Sequence, residues 1–440
     1  MLGQSLEQMG CESPSHFNRR TLLKAAGASG LGWLTPVAEL LARDAEVRKT
    51  RAKSIILLWL QGGPSQLETF DPHPGKRIAG ETKAIETRVH GVQLAEGMEQ
   101  TADVMDSVAL VRSVVSKEGD HERATYNVKT GYRPDPTLVH PSIGAIVCHQ
   151  LPVGQTEIPR HVSILPGPWP GRGGYLGDQY DAFKTFDPAG PIPDVQPRVP
   201  EARFAKRREA LQVVERSFAR GRLRDLEERK TLQSTTIGAA IKMMTSEQLK
   251  AFNVSEEPRN IREQFGDTPF GRGCLAAARL VEVGVRCVEV ELGGWDSHVN
   301  NFETHKKQVA ILDPALASLI RVLKERDLFD QTIVICGGEF GRTPRINPAS
   351  GRDHWPHGFS VLLAGGGIRG GVVVGETDPE GGELTHPDEY EIEPGKGIQV
   401  ANLHATILHA LGIDHRLELT TPVGRPMALS KGEIIRPLLS

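Results

Sequence analysis

Four short runs dominated by apolar residues, each closed by glycines, constrain this chain more than any other feature. They are Ile55–Leu60 before Gln61-Gly62-Gly63-Pro64, Val285–Leu292 before Gly293-Gly294-Trp295, Thr332–Cys336 before Gly337-Gly338-Glu339, and Phe359–Ala364 before Gly365-Gly366-Gly367. A run apolar on both faces belongs in the buried interior of a parallel sheet. Val108–Val111 and His161–Leu165 are weaker strand candidates. Helical patterns lie between the runs. Gly273–Val283 is rich in Ala and Leu, and Gln308–Arg326 sets Val309, Leu312, Leu316, Leu319, Ile320 and Leu323 on one face. Strand–helix–strand alternation predicts an α/β fold with a mainly parallel central sheet and helices on both faces. A single domain over 54–440 follows, with a peripheral helical insert near 201–260 and long loops at 166–200 and 376–397.

The first segment reads as an address. Phe17-Asn18-Arg19-Arg20-Thr21-Leu22-Leu23-Lys24 precedes a weakly apolar stretch rich in Ala and Gly. This predicts a twin-arginine signal over 1–42 and a basic spacer over 43–53. The expected partner is the twin-arginine export machinery, and the expected location is periplasmic or otherwise extracytoplasmic. An amphipathic surface helix is the alternative. Lys24, Thr35 and Glu39 make the stretch a poor permanent membrane span. Lys and Arg number 52 against 55 Asp and Glu, so charge gives no reason to expect a nucleic-acid partner. Cys11, Cys148, Cys274, Cys287 and Cys336 show no close pairing and read as buried thiols rather than a disulfide framework.

Ligands of open parallel sheets gather outside the carboxyl ends of the strands. Polar residues just beyond the runs are therefore the informative ones. Asp296 and His298 follow the second run, and Glu339 and Arg342 the third. Arg352, Asp353, His354 and His357 precede the fourth. Carboxylates and imidazoles converging from separate strand ends suit a divalent cation such as zinc or manganese. Asp296, His298, Glu339, Asp353, His354 and His357 are the candidate metal residues. The plainer readings are a turn acid, a Glu339–Arg342 salt bridge and loop capping. Asp120-His121-Glu122-Arg123 opens a helix ending at Thr130-Gly131. His121 is expected to face the pocket as ligand or proton-transfer group. Arg342 or Arg352 is the candidate clamp for an anionic group. Ser65 is a substrate contact or a helix cap.

At these residues the chain resembles the bacterial domain-of-unknown-function family 1501. The matching pieces are Gly62-Gly63-Pro64-Ser65-Gln66 with Thr69-Phe70-Asp71-Pro72, Gly293-Gly294-Trp295-Asp296-Ser297-His298, Glu339-Phe340-Gly341-Arg342-Thr343-Pro344, Gly351-Arg352-Asp353-His354-Trp355-Pro356 and Leu403-His404-Ala405-Thr406. That family is similar to the alkaline phosphatase and sulfatase superfamily. The resemblance implies an alkaline-phosphatase-like fold, a metal site at the carboxyl edge of the sheet, and hydrolysis of a phosphate or sulfate ester on a small molecule or polysaccharide. Arg123 to Pro134 is similar to the sulfatase stretch after the nucleophile, which places His121 near the nucleophile position. Gln61-Gly62-Gly63 stands where the superfamily carries a metal-binding aspartate. The expected activity is an exported metal-dependent hydrolase. The alternative is a catalytically inactive extracytoplasmic binding or assembly protein that keeps the fold.

Overall fold

The computed structural model describes residues 52–220, 232–378 and 397–440. The twin-arginine segment, all but the last two residues of the spacer, Cys11 and most of the 376–397 loop lie outside the described residues. A nine-stranded sheet organises the rest. Its strands are β1 (Ser54–Leu60), β2 (Val108–Val115), β3 (His161–Ile164), β4 (Phe183–Thr185), β5 (Cys287–Leu292), β6 (Thr332–Gly337), β7 (Phe359–Gly365), β8 (Val372–Val374) and β9 (Ile398–Gln399). Their order is β8-β2-β7-β6-β1-β5-β3-β4, with β9 also paired to β2. All four strong runs thus lie in this sheet, and both weak candidates join it.

Neighbours are parallel at β1–β5, β1–β6, β3–β5, β3–β4, β8–β2 and β9–β2. Strand β7 is the exception, antiparallel to both β6 and β2. The fourth apolar run is therefore not a parallel strand. Its reversal has a local cause. After β6 the chain forms a short antiparallel ribbon, Gly341–Arg342 with His354–Trp355, which turns it back toward the edge it has just left. A parallel return would need a crossover of a dozen or more residues, usually helical, and no helix lies between β6 and β7. Residues just before β7 consequently reach the same edge as residues just after β1, β5 and β6.

The α-helices of eight residues or more among the described residues are α1 (His121–Thr130), α2 (Ile143–Gln150), α3 (Glu201–Arg220), α4 (Leu232–Met244), α5 (Pro269–Glu282), α6 (Asn301–Glu325) and α7 (Val400–Ala410). Alternating residues of β1 serve two cores. Ile56, Leu58 and Leu60 pack with the apolar faces of α5 and α6, while Ile55, Leu57 and Trp59 pack with α2 and α7. Helices cover both faces, which is why β1 is apolar throughout. Thr268 caps α5 by accepting from Gly271 N–H, with Pro269 in the first turn. Helices α3 and α4 occupy the region of the expected insert. Among the described residues no helix is long and apolar enough to cross a membrane. Cys148, Cys274, Cys287 and Cys336 are free, buried thiols.

Candidate metal centre

Four strand ends and one helix start meet at the edge. Strand β1 delivers Gln61 and Gly62, β5 delivers Asp296 and His298, β6 delivers Glu339, and the ribbon before β7 delivers Asp353 and His354. Helix α1 begins at His121, and Asp120 caps it by accepting from the N–H groups of Glu122 and Arg123. Two glycines permit the close approach. Gly62 has φ +116°, and a Cβ there would stand 2.6 Å from Asp296 N. A Cβ on Gly351 would collide with the backbone of His298. Any side chain at either place would push the Asp296–His298 turn off the edge.

The imidazoles are oriented from behind. His298 Nδ1 lies 2.9 Å from Asp353 Oδ1, and His354 Nδ1 lies 2.8 Å from the Gly119 carbonyl. His121 Nδ1 lies 2.7 Å from Glu339 Oε1. Each partner is an acceptor, so each Nδ1 donates and, in the neutral ring, Nε2 keeps its lone pair. These free nitrogens converge. His298 Nε2 and His354 Nε2 are 3.0 Å apart, and Asp296 Oδ1 lies 3.2 Å from the first and 3.3 Å from the second. His121 Nε2 lies 3.4 Å from the other Asp296 oxygen. Ligands on a tetrahedral zinc, with bonds of about 2.0–2.1 Å, stand about 3.3 Å from one another. Ligand atoms of His121, Asp296 and His354 all fall within 4.8 Å of one another. Lone pairs this close repel unless a cation or shared proton lies between them. The donor set, with its acceptors behind each ring, fits a divalent ion.

Glu339 is fully buried and accepts from Gly62 N–H at 2.9 Å and from Gln61 Nε2 at 3.2 Å through the oxygen that meets His121. It stands behind His121. Its second oxygen, Oε2, is buried without a partner. The Glu339 hydrogen bond raises the His121 pKa against the effect of burial, with Asp296 adding to it. Burial alone would raise the Asp296 carboxyl. Arg342, followed by His354 and His121, outweighs it and holds the group at about 2. His354 is pushed down, mainly by burial. Asp353 is held below the usual carboxylate range by His298.

The remaining expected site residues stand farther back. Arg342 is fully buried and donates to the Gly62, Gly63 and Arg352 carbonyls and, at 2.6 Å, to Asp296 Oδ1. It braces Asp296 and pins the turn after β1; it does not open onto solvent. Arg352 is also fully buried, donating to Glu68 at 2.8 Å and to the carbonyls of Ile78, Thr343 and Pro344. Ser65 is buried, with its N–H on His305 Nε2 at 2.8 Å and its hydroxyl without a hydrogen-bond partner. His357 is half-buried, with Nδ1 unpartnered and its pKa lowered by burial. The structure thus gathers His121, Asp296, His298, Glu339, Arg342, Asp353 and His354, and gives Ser65, Arg352 and His357 no bond to them beyond the Arg352 carbonyl. The sequence reading missed the Gly119 carbonyl and Gln61. A main-chain acceptor has no sequence signal, whereas Gln61, directly after the first apolar run, was visible.

The chain belongs to the family described as "Protein of unknown function (DUF1501)", whose model matches residues 52–439. No curated protein sequence matches it. Among solved structures it is similar to the C-terminal periplasmic domain of EcEptC from Escherichia coli in complex with Zn, at 10% identity and TM-score 0.38, covering 82% of this chain and 83% of that one. It is similar to the lipoteichoic acid synthase LtaP from Listeria monocytogenes, at 10% identity and TM-score 0.38, covering 83% and 72%. It is also similar to the PsFucS1 sulfatase from Pseudoalteromonas sp., at 11% identity and TM-score 0.38, covering 85% and 70%.

Proposed function

We propose that this family member is an exported metal-dependent hydrolase of a phosphate or sulfate ester. One observation carries the reading: Asp296 Oδ1, His298 Nε2 and His354 Nε2 form a triangle with sides of 3.0 to 3.3 Å, with an acceptor behind each ring. Zinc or manganese fits these donors. Three protein ligands leave a position for a water or an ester oxygen. When bound, the ion supplies Lewis-acid polarisation of the ester and acidifies a bound water. Arg342 holds Asp296 in place. Asp353 fixes the ring of His298, and the Gly119 carbonyl that of His354. Glu339 fixes His121 so that Nε2 faces the cluster, where it serves as fourth ligand or moves a proton between water and leaving group. Export through the twin-arginine machinery is proposed on Arg19 and Arg20.

A second reading, a binding or assembly protein without turnover, is favoured by one observation: the Ser65 hydroxyl after β1 is buried away from solvent. The deciding experiment measures metal in protein purified without chelators and then assays aryl phosphates and aryl sulfates. Stoichiometric metal with turnover abolished in Asp296→Asn supports the hydrolase. Metal without turnover of either ester class supports the second reading. No metal in the parent protein sinks both the ion and the hydrolase. Replacing Arg19 and Arg20 with Lys should retain the protein in the cytoplasm; unchanged export would remove the twin-arginine assignment.

A further inference from the structure

The two arginines nearest the cluster cannot grip a substrate, because Arg342 and Arg352 are fully buried and committed to carbonyls and carboxylates. Two others stand in the open on the stretch of chain that carries His121. Arg123 donates to Glu118 through Nε at 2.7 Å and Nη2 at 3.3 Å, and Arg133 donates to the same carboxylate through Nε at 2.6 Å. The Glu118 side chain is 5% exposed, while those of Arg123 and Arg133 are 51% and 58% exposed. One buried carboxylate therefore holds two guanidiniums in place and neutralises one of them. Arg123 Nη1 and both terminal nitrogens of Arg133 have no protein partner among the described residues. Asp120 is the other acid near Arg123, and one of its oxygens already caps α1.

The pair is tied to the cluster through the chain. Glu118 immediately precedes Gly119, whose carbonyl orients His354, and Arg123 lies two residues beyond His121. Ser116 N–H donates to the Pro356 carbonyl, closing the same stretch onto the ribbon before β7. Positive charge continues outward: Lys431 Nζ stands 5.8 Å from the centroid of the Tyr132 ring, next in sequence to Arg133. The Tyr132 hydroxyl donates to the Ala428 carbonyl and ties the two segments together.

We propose that Arg123 and Arg133, held together by Glu118 and extended by Lys431, form a subsite for a second phosphate or sulfate group of an extended substrate. That group sits on the unit next to the one whose ester lies at the Asp296–His298–His354 cluster. A guanidinium with free N–H groups recognises such oxyanions bidentately, and fixing it beforehand reduces the entropy lost on binding. Naming the ligand as substrate rests on the hydrolase reading; the anion site itself does not.

The test is equilibrium binding of a sulfated oligosaccharide and its unsulfated counterpart to the full chain at low and high salt. The parent should prefer the sulfated probe, and this preference should weaken with salt. R123Q/R133Q should lose about tenfold or more in affinity for the sulfated probe, as expected for removing charge-assisted hydrogen bonds. R133K should recover part of the loss, and K431Q should show a smaller loss. Thermal unfolding of each variant checks folding, and K431Q, which leaves the Glu118 pair intact, supplies a second readout if R123Q/R133Q does not fold. Equal affinity in the parent, R123Q/R133Q and K431Q would overturn the subsite, as would equal affinity of the parent for both probes. If aryl esters are hydrolysed but binding ignores the arginines, the subsite fails and the hydrolase stands. If binding needs the arginines but no ester is hydrolysed, the hydrolase fails and the subsite stands.

Discussion

Two groups of carboxylate and imidazole share this sheet, and they have been resolved in opposite ways. At the edge, Asp296 is 46% exposed, and the free Nε2 atoms of His298 and His354 face it. In the interior, Glu289 of β5 meets His161 Nε2 at 3.3 Å, with Cys287 close by. Both sets carry ligand atoms spaced as a metal would need. The interior set has its own cation: Lys129 Nζ lies 2.9 Å from Glu289, 2.9 Å from the Trp169 carbonyl, and over the Trp59 ring. Gly171 N–H donates to Glu289 as well, and Gly144 and Gly171 pack directly against the His161 ring. Ligand spacing alone therefore does not separate a structural ion pair from a metal site. The edge set has a protein cation as well, Arg342 at 2.6 Å from Asp296 Oδ1, so the difference lies in whether the donors reach solvent: Asp296, His298 and His354 do, whereas His161, Cys287 and Glu289 are buried.

The largest expected effect breaks the interior set. Lys129→Met leaves Glu289 charged and buried without its partner and should cost about 3–5 kcal/mol of stability in a denaturant titration. A loss within about 0.5 kcal/mol would mean the interior pair is not what holds β3, β5 and α1 together. The edge set should respond to metal instead. Chelation should lower the melting temperature of the parent and leave Asp296→Asn unmoved, since an ion bound only to the native state stabilises by about 2.7 kcal/mol at one hundred times its dissociation constant. Equal shifts in parent and variant would remove Asp296 as a ligand.

Acid sharpens the contrast. Burial raises the Glu289 carboxyl, but Lys129 and then His161 outweigh it and hold the group at about 2. The unfolded chain binds this proton near pH 4.5 and the folded chain only near 2. The associated stability is therefore full above about pH 4.5 and lost as pH falls toward 2. Glu289→Gln should flatten the stability–pH curve across that window. Asp296 shifts in the same direction but is half exposed, so Asp296→Asn should flatten it less. A curve steeper in Glu289→Gln than in the parent would contradict this. The smallest effect concerns orientation: Glu339→Gln should weaken metal binding or turnover about 10–100-fold by loosening His121. Retention of both at parent level would make the His121–Glu339 contact incidental.

Much of the sheet was legible because its central strands are apolar on both faces, a pattern few other settings produce. Strand β4, Phe-Lys-Thr, was not; it is an edge strand of three residues inside a loop-like stretch. The direction of β7 was also invisible, because an apolar run looks the same read from either end. Direction here depends on the Arg342–His354 ribbon, a contact between residues twelve apart. At the site, residue types after the strand ends pointed to the right edge. What they could not tell was which arginines are buried. Arg342 and Arg352 read as anion clamps in sequence, yet the carbonyls that consume them come from Gly62, Gly63, Ile78, Thr343 and Pro344, whose positions only the fold reveals.

The reversal of β7 also gives the segment between β6 and β7 the character of a detachable module. Both of its ends lie at one edge, so its length is not tied to any path across the sheet. Glu339, Arg342, Asp353 and His354 travel together within it, stapled by the ribbon, while Asn347 at its tip bonds the His298 carbonyl at 2.9 Å. A longer or re-sequenced tip near 345–350 would reshape the mouth of the site without moving a strand, provided a bond equivalent to that of Asn347 is retained. Variation in what such proteins accept should accumulate there, while strand order and donor identity stay fixed.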